Sequence, residues 1–586
     1  RGGRKRIAED VMTAPFRLIA PLALILSGCS ATLNEAPRGT QAAQNVAEAA
    51  SMGAVSTADP RATAAGEAIL EKGGSATDAA IAIMLALTVV EPQSSGIGGG
   101  GFMLHAGEDG IVAFDGRETA PAAATGERFL DDNGESLPFE QRVTSGLSVG
   151  VPGNIALAAE AHSRHGKLRW AELFEPAIAL ARDGFTINRR LHESLSGQTE
   201  RAGLTQDARD VFFGADGLPL PVGSRITVPA LAETFAAIAA GGPDVFYDEF
   251  DEPLAAYVAS QTPQDGQITA NDIASYEARL RDPVCAPYRQ YRVCGMGPPS
   301  SGGVAVAQML GQLERFDLAA LGPQSSRFWH LFLESQRLAY ADRELYLADS
   351  DYVPVPLSGL VDPDYLAIRS ALIDPESALA EVAPGTPPGS DRALADGNEP
   401  PESGTTHFAV VDGEGNAVSY TSTVEGAFGS GLWFRGFYLN NELTDFSTSP
   451  SVDGVPVANR VEGGKRPRSS MAPTIVFDEA GEVVLVIGAA GGPTIPVQVA
   501  RSIIGVIDFG MTAEEALDLP LLMAFGSTIV TEKGSVVAEL ATEIGAFGHG
   551  EIRLLDPRGK TNALRRIPGG WEAASDPRIA PLLSYE

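Results

Sequence analysis

Cysteine is almost absent: the 586 residues hold only Cys29, Cys285 and Cys294. That excludes a disulfide framework and a four-cysteine zinc site, and leaves room for one bridge in an oxidising compartment. Histidine is nearly as scarce, with seven scattered residues. The one close pair, His162 and His165 in AEAHSRHG, precedes a helix-ending Gly166, where imidazoles answer the negative end of a helix. No metal and no organic cofactor is expected. Positive charge is also short: 43 Lys+Arg against 75 Asp+Glu leave a net charge of −32, which opposes phosphate backbones and anionic bilayers and excludes nucleic acid as a partner. Long apolar runs are missing beyond the N-terminus. The richest, Ala76 to Val90, is shorter than the roughly 20 residues a bilayer needs and contains Asp78, so it reads as a buried helix. What remains, 44% hydrophobic and 20% charged residues, is the composition of a globule with a large core.

Met12 opens MTAPFRLIAPLALILSGCS, with a basic Arg17, an apolar run to Leu26 and the tetrad Leu26-Ser27-Gly28-Cys29. This reads as an export signal. The tetrad resembles a bacterial lipobox, in which Cys29 is lipidated and becomes the mature N-terminus, and Ser30 is not the Asp read as inner-membrane retention. The expected location is the periplasm, with the outer membrane contacted only through the lipid. Residues 1–29 form the signal with its upstream residues, and 30–51 form a polar, Ala-rich tether. The globule starts at residue 52.

ATAAGEAILEKGG and ATDAAIAIMLALTVVEP read as helices, the first closed by Gly73-Gly74 and the second ending before Pro92. A glycine loop and two short strands follow, then several helical stretches. From Glu381 to Gly404 a Pro/Gly/acid stretch excludes helix and central strand. Beyond it, THFAVVD, NAVSYTSTV, MAPTIVFD and EVVLVIGAA are β-patterned. The fold class is α+β, its sheets fed from both halves. Two apparent motifs fail on context. The G-x-G-x-x-G at Gly96 to Gly101 follows a helix and precedes a strand, the reverse of the dinucleotide fingerprint. The G-x-S-x-G around Ser148 is followed by Pro152, where a nucleophile elbow needs a helix.

The informative stretch starts at Gly404-Thr405-Thr406-His407. FAVVD and NAVSYT flank the turn Asp412 to Asn416, and a hairpin centred on Glu414 sets Thr405 opposite Thr423, within hydrogen-bond reach. A threonine hydroxyl is a weak nucleophile until a base sits beside it, and its own freed α-amine, with a pKa near 8, is one such base. That requires cutting the chain before Thr405. A second hairpin, VCAPY and YRVCG around Arg289-Gln290, places Cys285 opposite Cys294, close enough to bridge.

DGRETAP (Arg117), PPSSGG, GTTHFAVVD (Thr405), FGSG, LNNELTDF (Glu442, Asp445), GKRPRSSMAPT (Ser469, Ser470) and GAAGG (Gly491, Gly492), in this order, closely resemble the γ-glutamyltransferases, also called γ-glutamyl transpeptidases. GGSATDAAIAIMLALTVVEPQSSGIGGGGF and ASDPR look like the same family, so the matches run from about Met52 to the C-terminus. The resemblance implies an N-terminal nucleophile hydrolase with a four-layer αββα sandwich, cut between Gly404 and Thr405 into a large subunit, 52–404, and a small one, 405–586, that share one globule. It implies Thr405 as nucleophile, its amine as base and Thr423 as hydrogen-bond partner. Arg117, Ser469 and Ser470 would hold the substrate α-carboxylate, Glu442 and Asp445 the α-ammonium, and the N–H groups of Gly491 and Gly492 the oxyanion. Such residue types suit an amino-acid head, which needs a cation and hydroxyls for its carboxylate and acids for its ammonium.

Two departures stand out. Glu425 occupies a position near the ammonium where family members commonly carry Asn. The stretch between Asp445 and Lys465 is short and lacks a Tyr to cover the pocket. The expected activity is transfer of the γ-glutamyl group of glutathione and related compounds to water, amino acids or peptides. The rivals are a glutaryl/cephalosporin acylase on the same fold, which would need the ammonium-binding acids replaced, and an unprocessed lipoprotein that only binds amino acids or peptides.

Overall fold

The computed structural model describes residues 53–585 except 264–265, 391–393, 398–403 and 558. The export signal, Cys29 and the tether lie outside the described residues. The strands before Gly404 that build the centre are β1 (Gly53–Ser56), β2 (Gly100–Gly107), β3 (Gly110–Gly116), β4 (Arg279–Arg281), β5 (Val284–Tyr288) and β6 (Tyr291–Gly295). Those after it are β7 (Thr406–Asp412), β8 (Ala417–Thr423), β9 (Thr474–Phe477), β10 (Val483–Ala489), β11 (Thr561–Ile567) and β12 (Gly570–Ser575). They form two six-stranded antiparallel sheets, ordered β1-β7-β8-β2-β3-β4 and β12-β11-β10-β9-β6-β5. Each sheet takes strands from both sides of Gly404, so the segments 52–404 and 405–586 interleave.

The sheets pack face to face through β7, β8, β10 and β11. Helices α1 (Pro60–Glu71), α2 (Ala76–Val90) and α3 (Asn154–His165) lie on the first sheet's side, and α4 (Gly302–Leu313), α5 (Ser326–Tyr346) and α6 (Ile495–Ile507) on the second's. This is the four-layer αββα sandwich. All of α2 is buried, and each of its Ile, Leu, Met and Val side chains adds about 1.5–3 kcal/mol of transfer free energy. Asp78 survives there because its Oδ2 accepts from the N–H groups of Ser75, Lys167 and Leu168 at 2.8–3.0 Å.

The β7–β8 hairpin has the expected register, Val411 opposite Ala417 and Thr406 opposite Ser422. Its turn is pinned by Asp412, which accepts from the N–H groups of Glu414 and Asn416, each at 3.0 Å, and from the N–H of Ala76 at the start of α2. The edge hairpin β5–β6 sets Cys285 opposite Cys294, and the two are joined by a disulfide. The histidine pair departs from expectation. His162 bonds the carbonyl of Leu168 at 2.9 Å and His165 stacks on His105, so His162 serves the following loop and not its own helix end.

Candidate active site

Thr405 sits one residue before β7, where the chain leaves the sheet. Its Oγ1 lies 3.1 Å from Thr423 Oγ1, and its N–H donates to the carbonyl of Ser94 at 3.2 Å. Thr423 Oγ1 also accepts from the N–H of Glu425 at 2.8 Å, which leaves the Thr423 proton free for Thr405. Thr405 is buried at φ +77°, a left-handed conformation that is strained for a β-branched residue. Gly404 is at φ +118°, and a methyl there would overlap the carbonyl oxygen of Glu425, so only glycine fits before Thr405.

A small cavity collects Thr405, Thr423, Arg117, Glu425, Glu442, Asp445 and Ser469 with Met471 and Ile495. Arg117 arrives at the end of β3, and Glu442 and Asp445 share one turn of 3₁₀ helix. The three are ion-paired: Arg117 Nη1 meets Glu442 and Nη2 meets Asp445, while Nη2 also donates to the Arg468 carbonyl at 2.9 Å and Nε to that of Pro467 at 3.2 Å. Arg117 is only 1% exposed, so an unpaired charge here would cost several kcal/mol. Glu425 is held by Asn441 Nδ2. Burial pushes Glu442 well above the ordinary carboxylate range; Arg117 opposes this, and Glu118 and Glu425 add repulsion.

Glu118 was not foreseen, although it follows Arg117 directly in DGRETAP. It is fully buried beside Glu442, and burial, opposed mainly by Arg117, raises it to about 7. The adjacency of an acid to the pocket arginine was the available signal. Asn441 and Ser94 were equally silent, since their roles depend on contacts distant in sequence. The Ser470 hydroxyl accepts from Arg343 Nη2 at 2.7 Å, and Ser469 lines the small cavity. Gly491 and Gly492, at φ +125° and +56°, turn the chain from β10 into a 3₁₀ turn that leads into α6. Neither N–H has an acceptor among the described residues. His407, two residues past the nucleophile candidate, bonds Thr421 at 2.9 Å and is drawn down to about 3 by burial. It is a neutral core residue, not a base.

The arrangement offers a hydroxyl, a nitrogen on the same residue that would become an amine on cleavage, free N–H donors and a charged set matched to a zwitterion. A family model described as Gamma-glutamyltranspeptidase matches residues 62–581. The glutathione hydrolase proenzyme of Bacillus subtilis (strain 168) is 38% identical over 512 residues, 85% of either chain. That of Escherichia coli (strain K12) is 36% identical over 585 residues, covering 95% of this chain and 97% of its own. Cephalosporin acylase from Bacillus halodurans superposes with a TM-score of 0.79 at 27% identity, covering 90% of this chain and 94% of its own. The chain belongs to the γ-glutamyltranspeptidase family.

Proposed function

We propose that the chain is a self-processing γ-glutamyl hydrolase and transferase acting on glutathione and related γ-glutamyl compounds. In maturation Thr405 Oγ attacks the Gly404 carbonyl and its proton goes to the departing Thr405 nitrogen. The resulting ester is hydrolysed by water, which leaves a Gly404 carboxylate and a free Thr405 amine and hydroxyl. In turnover that amine takes the Thr405 hydroxyl proton as Oγ adds to the γ-carbonyl of the donor. The N–H groups of Gly491 and Gly492 hold the oxyanion, and one such donor is worth about 3 kcal/mol. Collapse expels the amine half, which leaves with that proton. Water or an acceptor amine then attacks the γ-glutamyl ester and gives its proton to the Thr405 amine; the carbonyl C–Oγ bond breaks, and Oγ takes that proton back, restoring the Thr405 hydroxyl.

The observation that carries this reading is the small cavity in which Thr405 faces Arg117, Glu442 and Asp445. A γ-glutamyl head brings one carboxylate and one ammonium, so it can exchange with the Arg117–acid pairs without leaving any charge unpaired. Release of a chromogenic amine from a γ-glutamyl anilide, with and without an acceptor dipeptide, tests the activity. Fragment N-terminal sequencing tests the cut, and a small fragment beginning elsewhere than Thr405 refutes it. The likeness to a cephalosporin acylase supports a second reading, turnover of glutaryl amides, which the same assay with a glutaryl anilide decides.

Export and anchoring through Cys29 rest on the sequence of residues 12–30. Among the described residues no helix is long and apolar enough to cross a membrane. Globomycin-sensitive incorporation of labelled palmitate, lost in Cys29→Ser, is the expected result, and unlabelled protein would point to a soluble export signal.

A further inference from the structure

One side of the small cavity is built by a segment that no helix or strand holds in place. Pro467 to Ser470 lie outside every regular element. Yet Ser469 lines the cavity, and the carbonyls of Pro467 and Arg468 accept from Arg117 at 3.2 and 2.9 Å. Whatever fixes this segment therefore fixes both the guanidinium and the hydroxyl that a donor α-carboxylate would meet.

The anchor is the last turn of α5. The Arg468 guanidinium, 1% exposed, donates through Nη1 to the carbonyls of Arg343 at 2.9 Å and Glu344 at 3.2 Å, and through Nη2 meets the Glu344 carboxylate. A cation is favoured there because these carbonyls belong to the negative end of the helix. Arg343 meets the other Glu344 oxygen, and gives Nη2 to the Ser470 hydroxyl at 2.7 Å and Nε to the Ser301 hydroxyl at 2.9 Å. Ser301 closes on the segment in turn, its hydroxyl and N–H donating to the Ser469 carbonyl at 2.7 and 2.8 Å. From the other side Asn459 Oδ1 accepts from the Arg468 N–H at 2.9 Å, while its Nδ2 donates to the Asp445 carbonyl at 2.7 Å. The segment is thus held between α5 and the turn that carries Asp445.

Glu344 joins the two arginines. Burial opposes its charge, but Arg343 and Arg468 outweigh that and hold the carboxyl down to about 2, so the bridge stays ionised at neutral pH. Loss of the carboxylate would leave the buried Arg468 without its counter-charge. The Glu344 side chain itself is 32% exposed, on the wall of a cavity of about 780 Å³, so replacing it opens no hole in the core.

We propose that Glu344 and Arg468 are positioning residues for the donor's α-carboxylate: they fasten residues 467–470 to α5 and so set Arg117 and Ser469 at the spacing the carboxylate needs. Neither lines the small cavity. The inference rests on the γ-glutamyl reading above and deepens it.

Two donors separate positioning from a general loss of structure. A γ-glutamyl anilide carries the α-carboxylate, and 4-aminobutyryl anilide is the same molecule without it, its ammonium retained. Glu344→Gln and Arg468→Met, the latter keeping an unbranched side chain, should each lower kcat/KM for the γ-glutamyl anilide by at least about 10-fold, chiefly through KM, and that for 4-aminobutyryl anilide by no more than about twofold. Rates are taken per small subunit beginning at Thr405, so that slower maturation does not count. A second measurement needs only the γ-glutamyl anilide, and decides the matter if the shorter donor is turned over too slowly to compare. In a Ser469→Ala background, where the carboxylate has already lost a contact, Glu344→Gln should cost at most about threefold, because both changes act on one set of contacts.

Equal losses on the two donors would overturn the inference and make the cluster a scaffold only. So would an undiminished loss in the Ser469→Ala background, or native rates in both variants. In each case turnover of the γ-glutamyl anilide by the native enzyme leaves the proposed function standing, and its absence there would refute both.

Discussion

The hydroxyls of Thr405 and Thr423 face each other at 3.1 Å, one rung beyond the last backbone pair of the β7–β8 hairpin. Thr423 also accepts from the Glu425 N–H, and its own proton is available to Thr405, where donated to Oγ it would stabilise negative charge that develops there. Thr423→Val keeps the shape and removes that donor. Turnover of a γ-glutamyl anilide should fall about 10- to 100-fold, the range of a hydrogen bond to a charged group. Thr405→Ala should remain a single chain on a denaturing gel with no activity. Cleavage persisting in Thr405→Ala would sink the mechanism.

Gly404 and Thr405 both hold left-handed backbone, and Gly404 abuts the Glu425 carbonyl. Gly404→Ala must move the scissile carbonyl away from Thr405 Oγ or accept a strain of about 1–3 kcal/mol. A time course of the purified precursor should show cleavage slowed by at least about 10-fold. Cleavage at the native rate would mean that this backbone conformation does not set the reaction.

The hairpin register and the Cys285–Cys294 pairing were legible because alternation, turn residues and loop length fix which residues stand opposite each other, whereas the sandwich came from the family resemblance. Thr405 and Thr423 came from that register alone. The roles of Arg117, Glu442 and Asp445 came from resemblance, since Arg117 lies more than 320 residues before the two acids and no local pattern joins it to them. The sequence did not show that they pair with each other, nor that Glu118 presses on Glu442.

Glu118 gives the site a pH signature. Its folded pKa is raised from 4.5 to about 7. Below pH 4.5 it is protonated folded and unfolded, with no effect. Between 4.5 and 7 the unfolded chain releases the proton that the folded one keeps, so stability falls as pH rises. Above 7 the loss is complete, on the order of 3 kcal/mol at most. Glu118→Gln removes this dependence. Thermal midpoints should therefore favour the variant over the native protein more at pH 8 than at pH 5, and an equal difference at both would show that Glu118 does not hold its proton.

Donor choice follows from the Arg117 pairs. A glutaryl amide carries the carboxylate that can take Arg117 and lacks the ammonium that would then satisfy Glu442 and Asp445. Its binding leaves two buried acids next to Glu118 and Glu425 without their cation, and like charges a few Å apart cost on the order of several kcal/mol at an effective dielectric near 20. Part of that cost is avoided because Glu442 is held toward its protonated form by burial; Asp445, paired at 2.5 Å with Arg117 Nη2, loses its partner. A γ-glutamyl amide restores every pair. The expected kcat/KM for the γ-glutamyl amide is at least about 100-fold above that of the matched glutaryl amide, roughly 2.7 kcal/mol of transition-state discrimination. Asp445→Asn should narrow the gap mainly by weakening the γ-glutamyl reaction, because the amide gives no charge to the ammonium and no longer depends on Arg117 for neutrality. Equal rates on both amides by the native enzyme would mean that these acids do not read the ammonium, and would favour the acylase.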